Sequence, residues 1–343
     1  MTNLENSLLL KAYRGEKTSR PPIWFMRQAG RYLPEYLEVR KNYTINEVIN
    51  NSELACEVTL QPLRRFNFDG SIIFADLLTP FAGIGIDFDF IKDEGPKVFN
   101  PIKSEREIEF LQEFDLASVE PTLKAINLVS KEINPKNLPL IGFAGAPFTL
   151  SSYLIEAQSN PKLNLTKTFF YNYENAWHSL QEKLVAMVVE YLLAQVKAGA
   201  SAVQIFDSWL GGLSPNQYSK YVHPYLKEIV RQLKAKTSVP IIFFATGISS
   251  LYSQIKTLEF DCIGVDWRIE LDVANTLLDN KFVLQGNLDP LALFAPKENL
   301  KNEINSILDR SKYLKSFVFN LGHGILPKTP IENVEYAIEV IQN

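Results

Sequence analysis

The order of patterns along the chain predicts an α/β protein: one distorted (β/α)8, TIM-like barrel spanning residues 1–343, with an N-terminal extension and a hairpin excursion. Three observations predict it. Short β-rich runs recur, each followed by a helical pattern, and eight of them suggest a parallel sheet closed on itself. The 343 residues, 46% hydrophobic and 12% aromatic, suffice for one large core. No repeat, low-complexity stretch or interdomain linker interrupts the alternation.

The predicted strands are, in order, Pro22–Phe25, Ser71–Ala75, Pro139–Phe143, Ala202–Phe206, Pro240–Phe244, Cys262–Val265, Phe282–Gln285 and Phe317–Asn320. The first is the weakest, so a count of seven with a distorted seam is the alternative. Between the second and third, Ile86 to Phe99 alternates around an Asp-Glu-Gly turn and predicts a hairpin. Asn175 to Ala198 reads as a long amphipathic helix stopped at Gly199. Ser214-Pro215 is an N-cap with proline at the first helical position, and His223-Pro224 predicts a break or kink in that helix. His178 and His223 lie on helical patterns and read as structural.

Composition excludes several functions. A formal charge of −4, with Lys and Arg spread along the chain, offers no basic stripe for a nucleic acid. No apolar run approaches a membrane span, because Asp76, Asp87 and Asp89 interrupt the most hydrophobic region. Leu8-Leu-Leu10 is too short for a signal peptide. Cys56 and Cys262 lack disulfide or metal spacing and read as small buried hydrophobes in a reducing, cytoplasmic setting. Gly83-Ile-Gly85 starts like a dinucleotide fingerprint, but Phe88 stands where the third glycine belongs. No Walker loop, Gly-x-Ser-x-Gly elbow or His-Glu-x-x-His pattern occurs, so no metal and no cofactor is expected.

A barrel carries its chemistry in the loops after its strands. Those loops hold Arg27 and Arg31 after the first strand, Asp76 after the second, Tyr153 after the third, Ser208 after the fourth and His323 after the last. The predicted topology delivers all of them to one mouth. Arg27 and Arg31 flank a loop that Gly30 and Pro34 keep from forming a long helix; a single tight turn there points both guanidinium forks the same way, suited to carboxylates or phosphates. An arginine pair with solvated heads, bridged to Glu35, is the alternative. Asp76 could instead cap the following helix near Leu77, Tyr153 could be a half-buried aromatic, and Ser208 could be an N-cap in competition with Asp207. The glycines on either side of His323 allow a ligand or backbone to approach closely.

The segment Met26-Arg-Gln-Ala-Gly-Arg-Tyr32 resembles the N-terminal signature of the uroporphyrinogen decarboxylase family. Gly142-Phe-Ala-Gly-Ala-Pro-Phe-Thr-Leu150, Gln204-Ile-Phe-Asp-Ser-Trp209, Leu284-Gln-Gly-Asn-Leu-Asp289 and Asn320-Leu-Gly-His-Gly324 are similar to further family segments, so the resemblance covers essentially the whole chain. It implies a distorted (β/α)8 barrel, often a homodimer, that removes CO2 from the four acetate side chains of uroporphyrinogen III without metal or prosthetic group. Carried over by position, Asp76, Arg27 and Tyr153 are the catalytic candidates. The substrate-binding set comprises Arg27, Gln28, Ala29, Gly30, Arg31, Asp76, Tyr153, Ser208 and His323. The implied partner is the small-molecule substrate, with no nucleic acid and no membrane. One departure stands out: Glu156-Ala-Gln-Ser-Asn-Pro161 replaces an expected glycine-rich run, which puts the flexibility of a substrate-covering loop in question. A superfamily methyltransferase, which would need thiolate zinc ligands, and a non-catalytic tetrapyrrole-binding protein are the competing readings.

Overall fold

The structure, a computed structural model, describes residues 3–91 and 95–343. Its central element is a curled, all-parallel sheet of seven strands: β1 (Ser71–Ile72), β4 (Leu140–Gly145), β5 (Ala202–Phe206), β6 (Ile241–Phe244), β7 (Cys262–Gly264), β8 (Val283–Leu288) and β9 (Phe317–Leu321), paired in that order. The hairpin excursion supplies β2 (Phe88–Ile91) and β3 (Gly95–Val98), which pair antiparallel; the Asp93-Glu94 part of its predicted turn lies outside the described residues. Sheet residues are almost uniformly buried, as expected for parallel strands covered by helices on one side and closed on a core on the other.

The first predicted strand position is filled without a strand. Pro22–Phe25 makes only one bridge, Ile23 with Phe319. Phe319 N–H donates to Pro22 O at 2.8 Å on one side, and Asp69 N–H donates to Ile23 O at 2.8 Å on the other. Two consecutive prolines, Pro21 and Pro22, remove the N–H groups a regular ladder would need. A side-chain clamp substitutes for them: Arg20 grips Asp69 with two nitrogens at 2.7 and 2.9 Å, and Asp69 also accepts the Ile23 N–H at 2.8 Å. The segment thus closes the ring between β9 and β1 as a distorted seam.

The N-terminal extension covers the lower end of the barrel. Ser7 caps the helix Leu8–Tyr13, and the fully buried Tyr13 hydroxyl donates to Gln285 Oε1 on β8 at 2.6 Å. Trp24 Nε1 reaches the same phenol at 2.9 Å, and Gln285 continues to Gln204 on β5 at 3.1 Å. A buried polar chain therefore runs across the barrel interior with each member paired, as low-dielectric surroundings demand. The predicted long helix is Glu174–Ala198, ended by Gly199 at φ 126. Ser214 forms a capping box on Pro215–Tyr221, and the chain breaks at Val222 before His223–Lys236, where His223-Pro224 predicted a break. Cys262 is buried on β7, whereas Cys56, on the helix Ser52–Arg65, is only half-buried, a correction to the expectation that both are buried.

Candidate active site

The first loop places Arg27 by two successive turns rather than one. Gln28 N–H donates to Phe25 O at 3.0 Å, and Leu33 N–H donates to Gly30 O at 3.0 Å, after which the helix Pro34–Asn42 begins. Arg27 occupies the left-handed region at φ 61, a conformation that costs a residue with a Cβ on the order of 1 kcal/mol and persists only when its surroundings impose it. Those surroundings are the last loop of the barrel: Met26 N–H donates to Asn320 Oδ1 at 3.0 Å, and Ile325 N–H donates to Met26 O at 2.9 Å. The Arg27 side chain then lies flat across Gly324, so close that a Cβ there would sit 2.8 Å from Arg27 Cγ and 3.0 Å from Nε. Gly322 is equally confined, against the backbone of Asp266 and Trp267. The glycines flanking His323 thus permit the close approach anticipated for them, to protein groups.

Asp76 stands four residues past β1. Its Oδ1 accepts Leu78 N–H at 2.9 Å, and its own N–H donates to Thr79 Oγ1 at 3.1 Å. It is therefore a turn-forming carboxylate with only one oxygen used, and not the helix cap that was the alternative: Leu78 stands at the cap of the 3-10 turn Thr79–Ile84 with no side-chain bond. Burial pushes its carboxyl above the ordinary carboxylate range, opposed by the Leu78 N–H and by the charge of Arg27.

Tyr153 rides on the helix Pro147–Glu156, its ring 5.9 Å from that of Trp209 in an edge-to-face contact. Burial, and after it the charge of Asp76, push its phenol up to about 12, while Arg27, Ser159 and Trp209 pull the other way. Tyr153 is a neutral hydroxyl at physiological pH. His323 is half-buried, and burial lowers its imidazole, helped by the charges of Arg27 and Arg268. It is a neutral ring under the positive potential of two arginines. The charge of Arg27 thus reaches Asp76, Tyr153 and His323, three residues from three other segments that follow barrel strands.

The other predicted residues are placed differently. Gln28 is fully buried; its Oε1 accepts Phe25 N–H at 3.3 Å and its Nε2 points to Gly70 O and Ser71 Oγ at 3.4 Å, while Tyr32 Oη donates to its carbonyl at 2.8 Å. The Gln28 side chain is thus a strut inside the wall, and only its backbone is left to face the mouth. Ala29 packs against the core and Gly30 closes the second turn. Arg31 is exposed, and its charge reaches the buried Tyr36, whose ring lies tilted 5.6 Å from that of Phe74. Ser208 is half-buried in the turn after β5, and neither it nor Asp207 caps the next helix. Asp207 is fully buried and accepts the Thr149 hydroxyl at 2.6 Å, tying the end of β5 to the helix that carries Tyr153.

The departure at Glu156–Pro161 has a structural counterpart. Glu156 is buried and accepts Thr166 N–H and Oγ1 at 2.8 and 3.0 Å and Asn160 Nδ2 at 2.7 Å. Val98 N–H of β3 donates to Ala157 O at 2.7 Å. The loop is thus stapled from both sides. Arg268, four residues past β7, is the mouth residue that sequence reasoning missed; only its position after a strand signalled it.

A closed parallel barrel with its polar groups gathered at the strand C-termini defines an enzyme-type α/β barrel. The family model described as "Uroporphyrinogen decarboxylase (URO-D)" matches residues 4–343. A relative named uroporphyrinogen decarboxylase from Chloroflexus aggregans is 46% identical over 97% of this chain and 94% of its own length. One of the same name from Thermus thermophilus is 42% identical over 99% and 98%. Among solved structures, a methyltransferase from Methanosarcina mazei superposes with a TM-score of 0.80 at 17% identity, covering 97% of both chains, a likeness of fold alone. The chain belongs to the uroporphyrinogen decarboxylase family.

Proposed function

We propose that this chain converts uroporphyrinogen III to coproporphyrinogen III in porphyrin biosynthesis by removing CO2 from its four acetate side chains. The observation that carries the reading is the family match across residues 4–343, joined to a mouth where one carboxylate, Asp76, faces cationic and neutral donors. The alternatives are not favoured. A thiolate zinc site has no support: Cys262 is buried within β7, and among the described residues no group of three or more His, Cys, Asp or Glu could hold a metal. We further propose that the chain acts as one domain, as a homodimer, in the cytoplasm. Its two unpaired cysteines suit a reducing compartment. Among the described residues no helix is long and apolar enough to cross a membrane.

Each acetate loses CO2 and gains one proton, leaving a methyl group. The electron pair left by the departing CO2 needs a sink, and a pyrrole protonated at carbon supplies one as a cationic iminium. The free oxygen of Asp76 would accept the pyrrole N–H groups and balance that cation, an arrangement preorganised before reaction because Leu78 N–H holds the carboxyl and Thr79 holds the Asp76 backbone. Arg27 and Arg31 would hold side-chain carboxylates, with Tyr153, Ser208 and His323 as neutral donors to others. The chain's net −4 does not oppose this. A charge pair at 4 Å gains about 4 kcal/mol at an effective dielectric near 20, whereas exposed charges beyond about 8 Å are screened.

Anaerobic incubation of the purified protein with uroporphyrinogen III, with and without a chelator, tests the reading. Products are oxidised and separated by carboxylate number. Stepwise loss of carboxylates down to four, unaffected by the chelator, is expected. Unchanged eight-carboxylate substrate would overturn it.

A further inference from the structure

Beyond the residues already discussed, the loop after β7 carries a guanidinium built to receive an anion. Asp266, 4% exposed, accepts Arg268 N–H at 2.9 Å on Oδ1 and Arg268 Nη1 at 2.9 Å on Oδ2, which also takes Gly247 N–H. The guanidinium carbon lies 4.0 Å from the centroid of the Trp267 ring, and that ring meets His323 edge-to-face at 6.4 Å. One edge of the fork is thus pinned and one face stacked, while the side chain stays 52% exposed. Among the described residues, Nε and Nη2 have no hydrogen-bond partner.

A bridge to Asp266 does not account for this arrangement. The Asp266 carboxylate is already met by two backbone N–H groups, and a half-exposed ion pair contributes little. What the geometry adds is orientation: the loss of side-chain freedom that normally opposes carboxylate binding has already been taken by the stack and the bridge. His323 shows which way the charge acts, since Arg268 and Arg27 both disfavour its protonation. The charges of both arginines reach one imidazole, Arg27 from the first loop and Arg268 from the β7 loop, with Asp266 opposing them.

We infer that Arg268 is a substrate-positioning residue that takes a carboxylate at the rim through its free Nε and Nη2 edge, stacked on the Trp267 ring that meets His323. The inference deepens the proposed decarboxylation and rests on it for the identity of the ligand. Arg268 would govern binding rather than bond breaking, because a guanidinium pinned by Asp266 and Trp267 can grip a carboxylate but supplies no counter-charge for the iminium.

Arg268→Gln and Arg268→Lys test it, read by KM and kcat with uroporphyrinogen III and by the Kd for uroporphyrin III, an oxidised, non-reacting tetrapyrrole with the same eight carboxylates. Loss of one charge-assisted pair predicts KM and Kd raised about tenfold in the glutamine variant with kcat within about twofold. The lysine variant should fall between, and the glutamine variant's Kd should depend less on salt. Wild-type KM and Kd in whichever variants fold would overturn the inference, as would a fall confined to kcat. A wild-type protein that binds uroporphyrin III yet decarboxylates nothing would defeat the proposed function alone, and the Kd comparison would still decide the role of Arg268.

Discussion

Arg27 occupies the space above Gly324 that a side chain would fill: a Cβ there would lie 2.8 Å from Cγ and 3.0 Å from Nε of the arginine. These are mid-chain atoms, so they cannot give way without carrying the guanidinium with them. Gly324 does not adopt a positive φ, so alanine is compatible with its backbone. Gly324→Ala should leave the fold intact and displace Arg27. Misplacement of a positioning group by about 1 Å can cost up to 10²-fold, so kcat/KM should fall at least about tenfold with a melting temperature near wild type. Unaltered kinetics would remove Arg27 from the reacting group.

The fold was legible because parallel strands covered on both faces write themselves as apolar runs, and seven of the eight predicted runs are strands. Pro22–Phe25 departs because its prolines cannot donate to a ladder, and the replacement clamp, Arg20 with Asp69, spans 49 positions that no local pattern links. The site was legible where loops carry charge. The inward turn of the Gln28 side chain was not legible, because no local pattern links it to Gly70 and Ser71, where its amide is used inside the wall. Arg268 escaped notice because its orientation depends on Trp267 and on Gly322 two strands away.

Removing the Glu156 carboxylate should loosen the segment it staples. Glu156→Ala leaves Thr166 N–H and Asn160 Nδ2 without their acceptor, and a buried donor left unpaired costs about 1–3 kcal/mol. The variant should melt several degrees lower and be cut faster by a protease within residues 157–163. Glu156→Gln keeps one acceptor oxygen and should lose less. Equal cleavage rates in wild type and Glu156→Ala would show that the loop is held by other means.

Asp207 makes a prediction about pH. Burial pushes its carboxyl up from 3.8 to about 7, against the Thr149 contacts that lower it. The folded chain therefore keeps this proton up to about pH 7, while the unfolded chain releases it near 4. Between those values the folded state binds more protons, so this group's contribution to stability falls as pH rises and stays low above 7. Asn cannot titrate, can still accept from Thr149, and turns an NH2 toward the place of the unpaired Oδ2. Relative to wild type, Asp207→Asn should gain stability between pH 4.5 and 8, on the order of a few kcal/mol. Melting temperatures of the two proteins measured across that range should diverge; parallel curves would contradict the raised carboxyl.

Asp76 separates a structural from a catalytic carboxylate most sharply. One oxygen accepts Leu78 N–H, a contact worth about 1 kcal/mol as a cap, and asparagine can keep it through its own carbonyl oxygen. The other oxygen is the anionic face that the iminium would need, and there asparagine presents a neutral amide whose N–H groups oppose pyrrole N–H donors. Asp76→Asn should therefore melt close to wild type while kcat falls by about 10²–10³, the typical cost of one preorganised electrostatic group. Acid dependence supplies a second reading of the same residue. Its carboxyl sits above the ordinary range because of burial, so wild-type kcat should decline as pH drops through a value higher than that of a free aspartate. The residual activity of Asp76→Asn should lack that limb. A variant with wild-type turnover, lowered melting temperature and an unchanged acid limb would show that Asp76 only shapes the turn at Leu78, and the iminium would need another counter-charge.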